Sequence, residues 1–248
     1  MSGPLFDSHA LALRRHRAIR HGPRLFLAHR TVEDIADRLG FVQRRFGRAL
    51  LVGCPDPGVA EPLADAADQL LLIPSLADIA QFPPESFDLL IVLGELDTTD
   101  ELPTVLQILR SLLSRDSLLI GAFAGNDSLP ILRATMLAAD QAGGGGVSPR
   151  VHPRIEASAL APLLQQAGFV MPVVDLDRVR LRYRAFDDLV ADLRGMGATN
   201  VLANRSKKPL DRASLAAARA EFRRLGEESG TVETIEILHF AAWTANHH

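Results

Sequence analysis

The chain has 248 residues, 47% of them hydrophobic, 23% charged and 5% aromatic, with a formal net charge of -3. That balance predicts one substantial globular domain with a core of Leu, Ala, Val and Ile, and excludes a disordered chain or a global basic footprint for nucleic acid. The single Cys54 excludes an intramolecular disulfide and a cysteine-based metal cluster, and no apolar run reaches the length of about eighteen residues that a membrane span needs.

A cytoplasmic protein without a transmembrane segment is therefore expected, since the N-terminus also lacks the apolar stretch and small-residue cleavage site of a secretory signal. Basic charge is uneven. Arg14, Arg15, Arg17, Arg20, Arg24, Arg30, Arg38, Arg44, Arg45 and Arg48 crowd the first 48 residues, which suits an acidic partner, a phosphate or a lipid face, although a solvated helix face is the plainer reading.

In chain order, residues 5–21 read as a basic helical arm, and residues 24–40 place Leu25, Leu27, Val32, Ile35, Ala36 and Leu39 near helical spacing before Gly40. Ala49 to Val52 is a short buried-strand run closed by the turn Gly53-Cys54-Pro55-Asp56-Pro57-Gly58, and residues 59–68 suit a helix. Leu70 to Ile73 and Phe87 to Leu93 are further strands, residues 101–113 an amphipathic helix, and Ser117 to Phe123 another strand. This alternation predicts a parallel, doubly wound sheet. Residues 128–141 read as a helix, Gly143 to Gly146 as a flexible loop, and residues 156–167 as a helix before two strands, Phe169 to Asp175 and Val179 to Tyr183. Helices over 186–196 and 211–226 and a strand over 234–243 complete the chain.

A strand that ends in a glycine turn before a helix brings backbone amides to a nucleotide, and Gly53, Asp56 and Gly58 stand in such a turn. The G-x-G-x-x-G pattern is absent: Pro55 replaces a close-approach glycine and Pro57 removes an amide donor. The carboxylate that normally holds a ribose after the next strand is missing, leaving Ser75, with Asp78 downstream. Glu95 and Asp97, after the strand that ends at Leu93, are candidates for acid–base work or remain solvated loop acids. Arg150 and His152, stiffened by Pro149 and Pro153, and Arg194 and Asn200, beside Gly195 and Gly197, are candidates for substrate or partner contact; each has a packing alternative, an ion pair for Arg150 among them. No nucleophile elbow, Walker loop, paired-histidine helix or Cys/His metal set is present, so no metal is expected.

Several stretches carry a family resemblance. They are Phe6-Asp7 with the arginines that follow, Phe87 to Val92, Asp100-Glu101-Leu102-Pro103, Asp127-Ser128-Leu129 with Leu132-Arg133, Ser148 to Pro153, Leu163 to Phe169, and Asp192 to Asn200. Nearly end to end, the chain resembles the alphaproteobacterial relatives of mitochondrial complex I assembly factor 5. The resemblance implies an α/β, Rossmann-like class I methyltransferase fold: a mainly parallel sheet with flanking helices, an N-terminal helical arm over 1–47, and a domain over 48–248 with a C-terminal helical and strand elaboration from about residue 143.

It also implies S-adenosylmethionine as cofactor, over Gly53, Asp56, Gly58, Ser75, Asp78 and Glu95, and a protein substrate or partner, such as a complex I subunit. The mitochondrial member is associated with hydroxylation of an arginine, and bacterial relatives are labelled methyltransferases. The chain departs from the family pattern at the glycine turn, at the ribose acid and after the fourth strand, where Gly94-Glu95-Leu96-Asp97-Thr98-Thr99 carries no His or Trp. Gly53 and Phe87 also stand too close for the usual two strands and two helices, so one strand and its helix are expected to be deleted. Two functions follow: an enzyme modifying a protein side chain, arginine, in complex I assembly, or a cofactor-free pseudo-methyltransferase that binds a partner in assembly or regulation.

Overall fold

A computed structural model describes residues 3–144 and 146–246; Gly145, within the expected glycine loop, lies outside them. Helix α1 (Ser8–His21) starts where the Asp7 carboxylate accepts a hydrogen bond from the Ala10 amide at 2.9 Å, satisfying one orphan donor of the first turn. Helix α2 (Phe26–Phe41) turns Val32 and Ile35 into the core. Four strands follow with one α-helix among them: β1 (Phe46–Val52), β2 (Ala67–Ile73), β3 (Phe87–Leu93), α3 (Leu102–Leu112) and β4 (Leu113–Ala124). The remainder is α4 (Pro130–Gly143), α5 (Ala157–Gln166), β5 (Phe169–Tyr183), α6 (Phe186–Gly195), α7 (Arg212–Arg224) and β6 (Thr231–Thr244).

The strands form one six-stranded sheet in the order β2-β1-β3-β4-β6-β5. Strands β1 to β4 are mutually parallel, with Val52 level with Ile73 and Val92, and Leu93 level with Ala122. Strand β6 runs antiparallel to β4, with His239 opposite Ala122. As expected, a single strand, β2, separates β1 from β3 in the sequence, and it takes the edge of the sheet beside β1.

Three predicted elements differ. Residues 59–68 form no α-helix but a 3-10 turn over Pro57–Leu63, because Pro62 inside it has no N–H to donate, and β2 already begins at Ala67. The two strands expected over 169–175 and 179–183 are one, β5, whose polar middle is the exposed pattern of an edge strand.

The chain divides into two compact units. The first comprises the chain up to Arg24, Asn126–Pro153 and Arg178–Glu236; the second comprises Leu25–Gly125, Arg154–Asp177 and the chain from Ile237. Helix α1 thus falls in the first unit and α2 in the second.

In the second unit, Leu50, Val52, Leu90, Val92 and Leu119 share one sheet face with Leu106 and Leu109 of α3 and Leu160 and Leu164 of α5. Alternation sends Ala49, Leu51, Leu89, Ile91, Leu118 and Ile120 to the other face, all buried. Each fully buried leucine contributes about 1.5–3 kcal/mol. In the first unit, Phe6 and Ala10 pack with Val201 and Leu202, α4 packs on α7, and α6 packs on both α1 and α7.

Candidate functional site

The C-terminal ends of β1, β2 and β3 make the edge at which an open parallel sheet holds ligands. Gly53 leaves β1 there with a left-handed φ of 83°, and its amide donates to the Ile73 carbonyl at 3.0 Å. A Cβ on Gly53 would stand 2.3 Å from the Leu93 carbonyl oxygen and 2.6 Å from Cγ of Glu95. The Glu95 side chain therefore lies directly on the glycine. It is 5% exposed and continues to the end of β2, where its Oε2 accepts from the Leu76 amide at 3.0 Å and from the Ser75 hydroxyl at 3.3 Å.

Asp56 turns inward on its own loop: Oδ1 accepts from the Gly58 amide at 2.8 Å, so the carboxylate caps the 3-10 turn that Pro57 starts. Asp78 is half-buried in the first turn of the 3-10 segment Leu76–Gln81. Cys54 donates its thiol to the Asp56 carbonyl, and burial raises its pKa above the ordinary value, keeping it a thiol. Asp97, past the end of β3, is tied to Arg154 at 3.5 Å, with both side chains largely buried. Of the six residues expected around S-adenosylmethionine, Gly53, Ser75 and Glu95 thus meet through the Glu95 side chain, while Asp56 and Gly58 bond each other.

An open parallel sheet of this kind receives a nucleotide-bearing cofactor over the glycine turn that follows its first strand. Here the cradle above Gly53 is filled by Glu95 methylene, the Gly53 amide is spent on Ile73, and β2 carries no acid at its C-terminal end, its one carboxylate, Asp68, lying near its start. With Glu95 in this position the residues present do not fit S-adenosylmethionine.

The second set of candidates lies in the first unit and is knit together. The buried His152 accepts at Nε2 from the Val201 amide at 2.9 Å, which places the ring proton of its neutral form on Nδ1. Its ring meets Phe6 edge to face, 5.4 Å between centroids. Asn200 donates from Nδ2 to the Pro149 carbonyl at 2.7 Å and accepts at Oδ1 from the Leu202 amide at 3.0 Å. Arg150 donates to Asp140, whose side chain is 4% exposed. Burial acts to raise the Asp140 pKa, yet hydrogen bonds from Arg150 and the Ser148 amide outweigh it and hold the carboxyl below its ordinary value.

Residues 149–152 and 200–202 are therefore latched by Asn200 and His152. The segment around Phe6 closes on the same place: Phe6 bridges Leu202, the Asp7 amide donates to the Val201 carbonyl, and Arg205 donates to the Asp7 carboxylate at 2.9 Å. Arg194 is exposed in the last turn of α6. Sequence reasoning singled out Arg150, His152 and Asn200 but not Asp140 or Val201. Asp140 carried no signal, since it sits within an ordinary helical pattern.

No helix among the described residues is long and apolar enough to cross a membrane. No family model matches the chain. It is 32% identical over 241 residues to the mitochondrial arginine-hydroxylase NDUFAF5 of Danio rerio, spanning 88% of this chain and 75% of that protein. It is 31% identical over 241 residues to the Homo sapiens protein of the same name, spanning 88% and 70%.

Among solved structures, a candidate methyltransferase of Bacillus halodurans matches with a TM-score of 0.52 at 13% identity, covering 86% of this chain and 100% of that one, a likeness that speaks to fold alone. The α/β sheet is accordingly a Rossmann-like class I methyltransferase fold, shortened by one strand on the side of β2. Identity sustained across most of both chains, on that fold, makes this chain a member of the arginine-hydroxylase NDUFAF5 family.

Proposed function

We propose that this chain acts in respiratory complex I assembly on an arginine-bearing protein partner, and that it does so as a binding module whose nucleotide cleft is closed by its own Glu95. Family membership supports the process and the arginine target. The contact between Glu95 and Gly53 carries the second half: a side chain anchored on Ser75 and Leu76 takes the space above the turn that a cofactor needs. In this reading the protein is a pseudo-methyltransferase of the cytoplasm, where its half-buried Cys54 stays reduced.

One observation favours the enzymatic alternative, S-adenosylmethionine-dependent modification of an arginine. The Glu95 carboxylate reaches the end of β2, where the family's ribose acid would stand, so a carboxylate is available there by another route. Isothermal titration of the whole protein with S-adenosylmethionine and S-adenosylhomocysteine separates the two. The module reading expects no heat at millimolar ligand from the parent protein and measurable binding after Glu95→Gly. Micromolar binding by the parent, weakened by Glu95→Gly, establishes the enzyme reading instead.

A further inference from the structure

We propose that Asp34 of α2, Asp177 of β5 and His239 of β6 form a binding site for one divalent transition-metal ion. One donor atom from each lies within 4.8 Å of the others, and all three belong to the second unit. They sit on three separate elements, so no ligand spacing in the sequence announces them.

The carboxylates alone would be unremarked surface chemistry; the histidine is what asks for an occupant. His239 is 1% exposed, and neither ring nitrogen has a hydrogen-bond partner among the described residues. Buried polar atoms nearly always have one. Nε2 faces Oδ2 of Asp34 at 3.6 Å, too long for a hydrogen bond. It is close to the separation of about 3.3 Å between two ligands of a tetrahedral ion held at about 2.0–2.1 Å.

Burial is the largest influence on the ring, with Arg38 acting the same way; together they outweigh Asp34, Asp177 and Asp175 and lower the imidazole pKa, leaving a neutral ring with a lone pair to give. The surrounding charges are compatible with a cation. Arg30 donates to Oδ2 of Asp177 at 2.8 Å and Arg38 pairs with Asp175, so three carboxylates face two guanidiniums. Arg30 also fixes the orientation of Asp177, as outer-shell groups do around metal-binding carboxylates. The donors must draw in by about an ångström to reach ligand distances. The partly exposed Asp34 and Asp177 can do this by side-chain rotation, while His239 stays fixed in its strand. One imidazole with two carboxylates suits Mn2+, Fe2+, Co2+ or Zn2+ better than Mg2+ or Ca2+, which prefer all-oxygen shells.

This site is independent of the cofactor question. The test is titration of the whole metal-stripped protein with Zn2+ by calorimetry and with Co2+ by visible absorption, beside Asp34→Asn and Asp177→Asn. Both substitutions fall on partly exposed side chains and keep the shape, and circular dichroism checks their folding. One saturable equivalent is expected at micromolar or lower concentration, with Co2+ bands of a nitrogen- and oxygen-bound ion and at least a tenfold loss of affinity in each variant. Absence of saturable binding at millimolar Zn2+ and Co2+ overturns the proposal. So does binding that both folded variants retain, which would place the ion on other histidines such as His9, His16, His21 or His29.

Discussion

Gly53 shows how much one missing Cβ decides. Its backbone is left-handed, and any side chain there meets the Leu93 carbonyl and the Glu95 stem at once. An L-residue in that conformation costs about 1–2 kcal/mol, and displacing packed neighbours adds about 1–3 kcal/mol. Gly53→Ala should therefore lower the unfolding free energy by about 2–5 kcal/mol in urea denaturation. Combining it with Glu95→Gly should recover part of that loss but not all, because the Leu93 carbonyl remains. Full additivity of the two substitutions would mean that Glu95 does not rest on Gly53. The turn at Gly53 and the place of Glu95 at the sheet edge were legible, since a buried-strand run followed by glycine has few other meanings. That Glu95 folds back over Gly53 was not legible, because a rotamer choice between residues in the loops after two different strands leaves no trace in local pattern. The same holds for His239, read from the sequence as one more alternating strand residue.

At the scale of elements, α4 is capped from a distance. Leu129 precedes it in a left-handed conformation with no side-chain cap, and the first turn is served instead by the Glu233 carboxylate of β6, which accepts from the Leu132 amide at 2.7 Å and the Ile131 amide at 3.3 Å. Burial raises the Glu233 pKa above 4.5, and its bonds from Thr234, Leu132 and Ile131 only partly offset this. The sign follows: between the unfolded value and the raised folded one, the native state binds more protons, so this group makes stability fall as pH rises through that window and level off above it. Glu233→Gln removes the ionisation but keeps only one of the two accepting oxygens, so urea midpoints measured from pH 4 upward should lose that decline relative to the parent while the NH2 group, facing a backbone N–H, lowers them at every pH. An unchanged decline in the variant would sink this account. Helices were the most legible elements because their apolar stripes are long. The 3-10 turn was misread as a helix by discounting Pro62, and β5 was split because the polar run from Asp175 to Arg178 looks like a loop until it is placed at a sheet edge.

For the whole molecule, the shortened span between Gly53 and Phe87 told the topology in advance: only one strand fits, and β2 ends the sheet on that side. A strand that a longer relative of the fold would cover is thereby left with open backbone and aliphatic side chains. Leu71 still packs on the core, but Leu72 is 40% exposed. Proteins usually blunt such an edge with charge, and β2 does so only near its start, where Asp68 pairs with Arg45. Toward its end, Leu70, Leu71 and Leu72 keep the β-prone, uncharged character that templates association. Leu72→Lys should leave the unfolding free energy within about 0.5 kcal/mol of the parent, since an exposed side chain is replaced. It should also slow the growth of light scattering when concentrated protein is warmed below its melting temperature. If scattering grows as before at equal stability, the edge at β2 is not where molecules meet. If stability falls by more than about 1 kcal/mol, Leu72 is packed in solution and the edge is covered there after all.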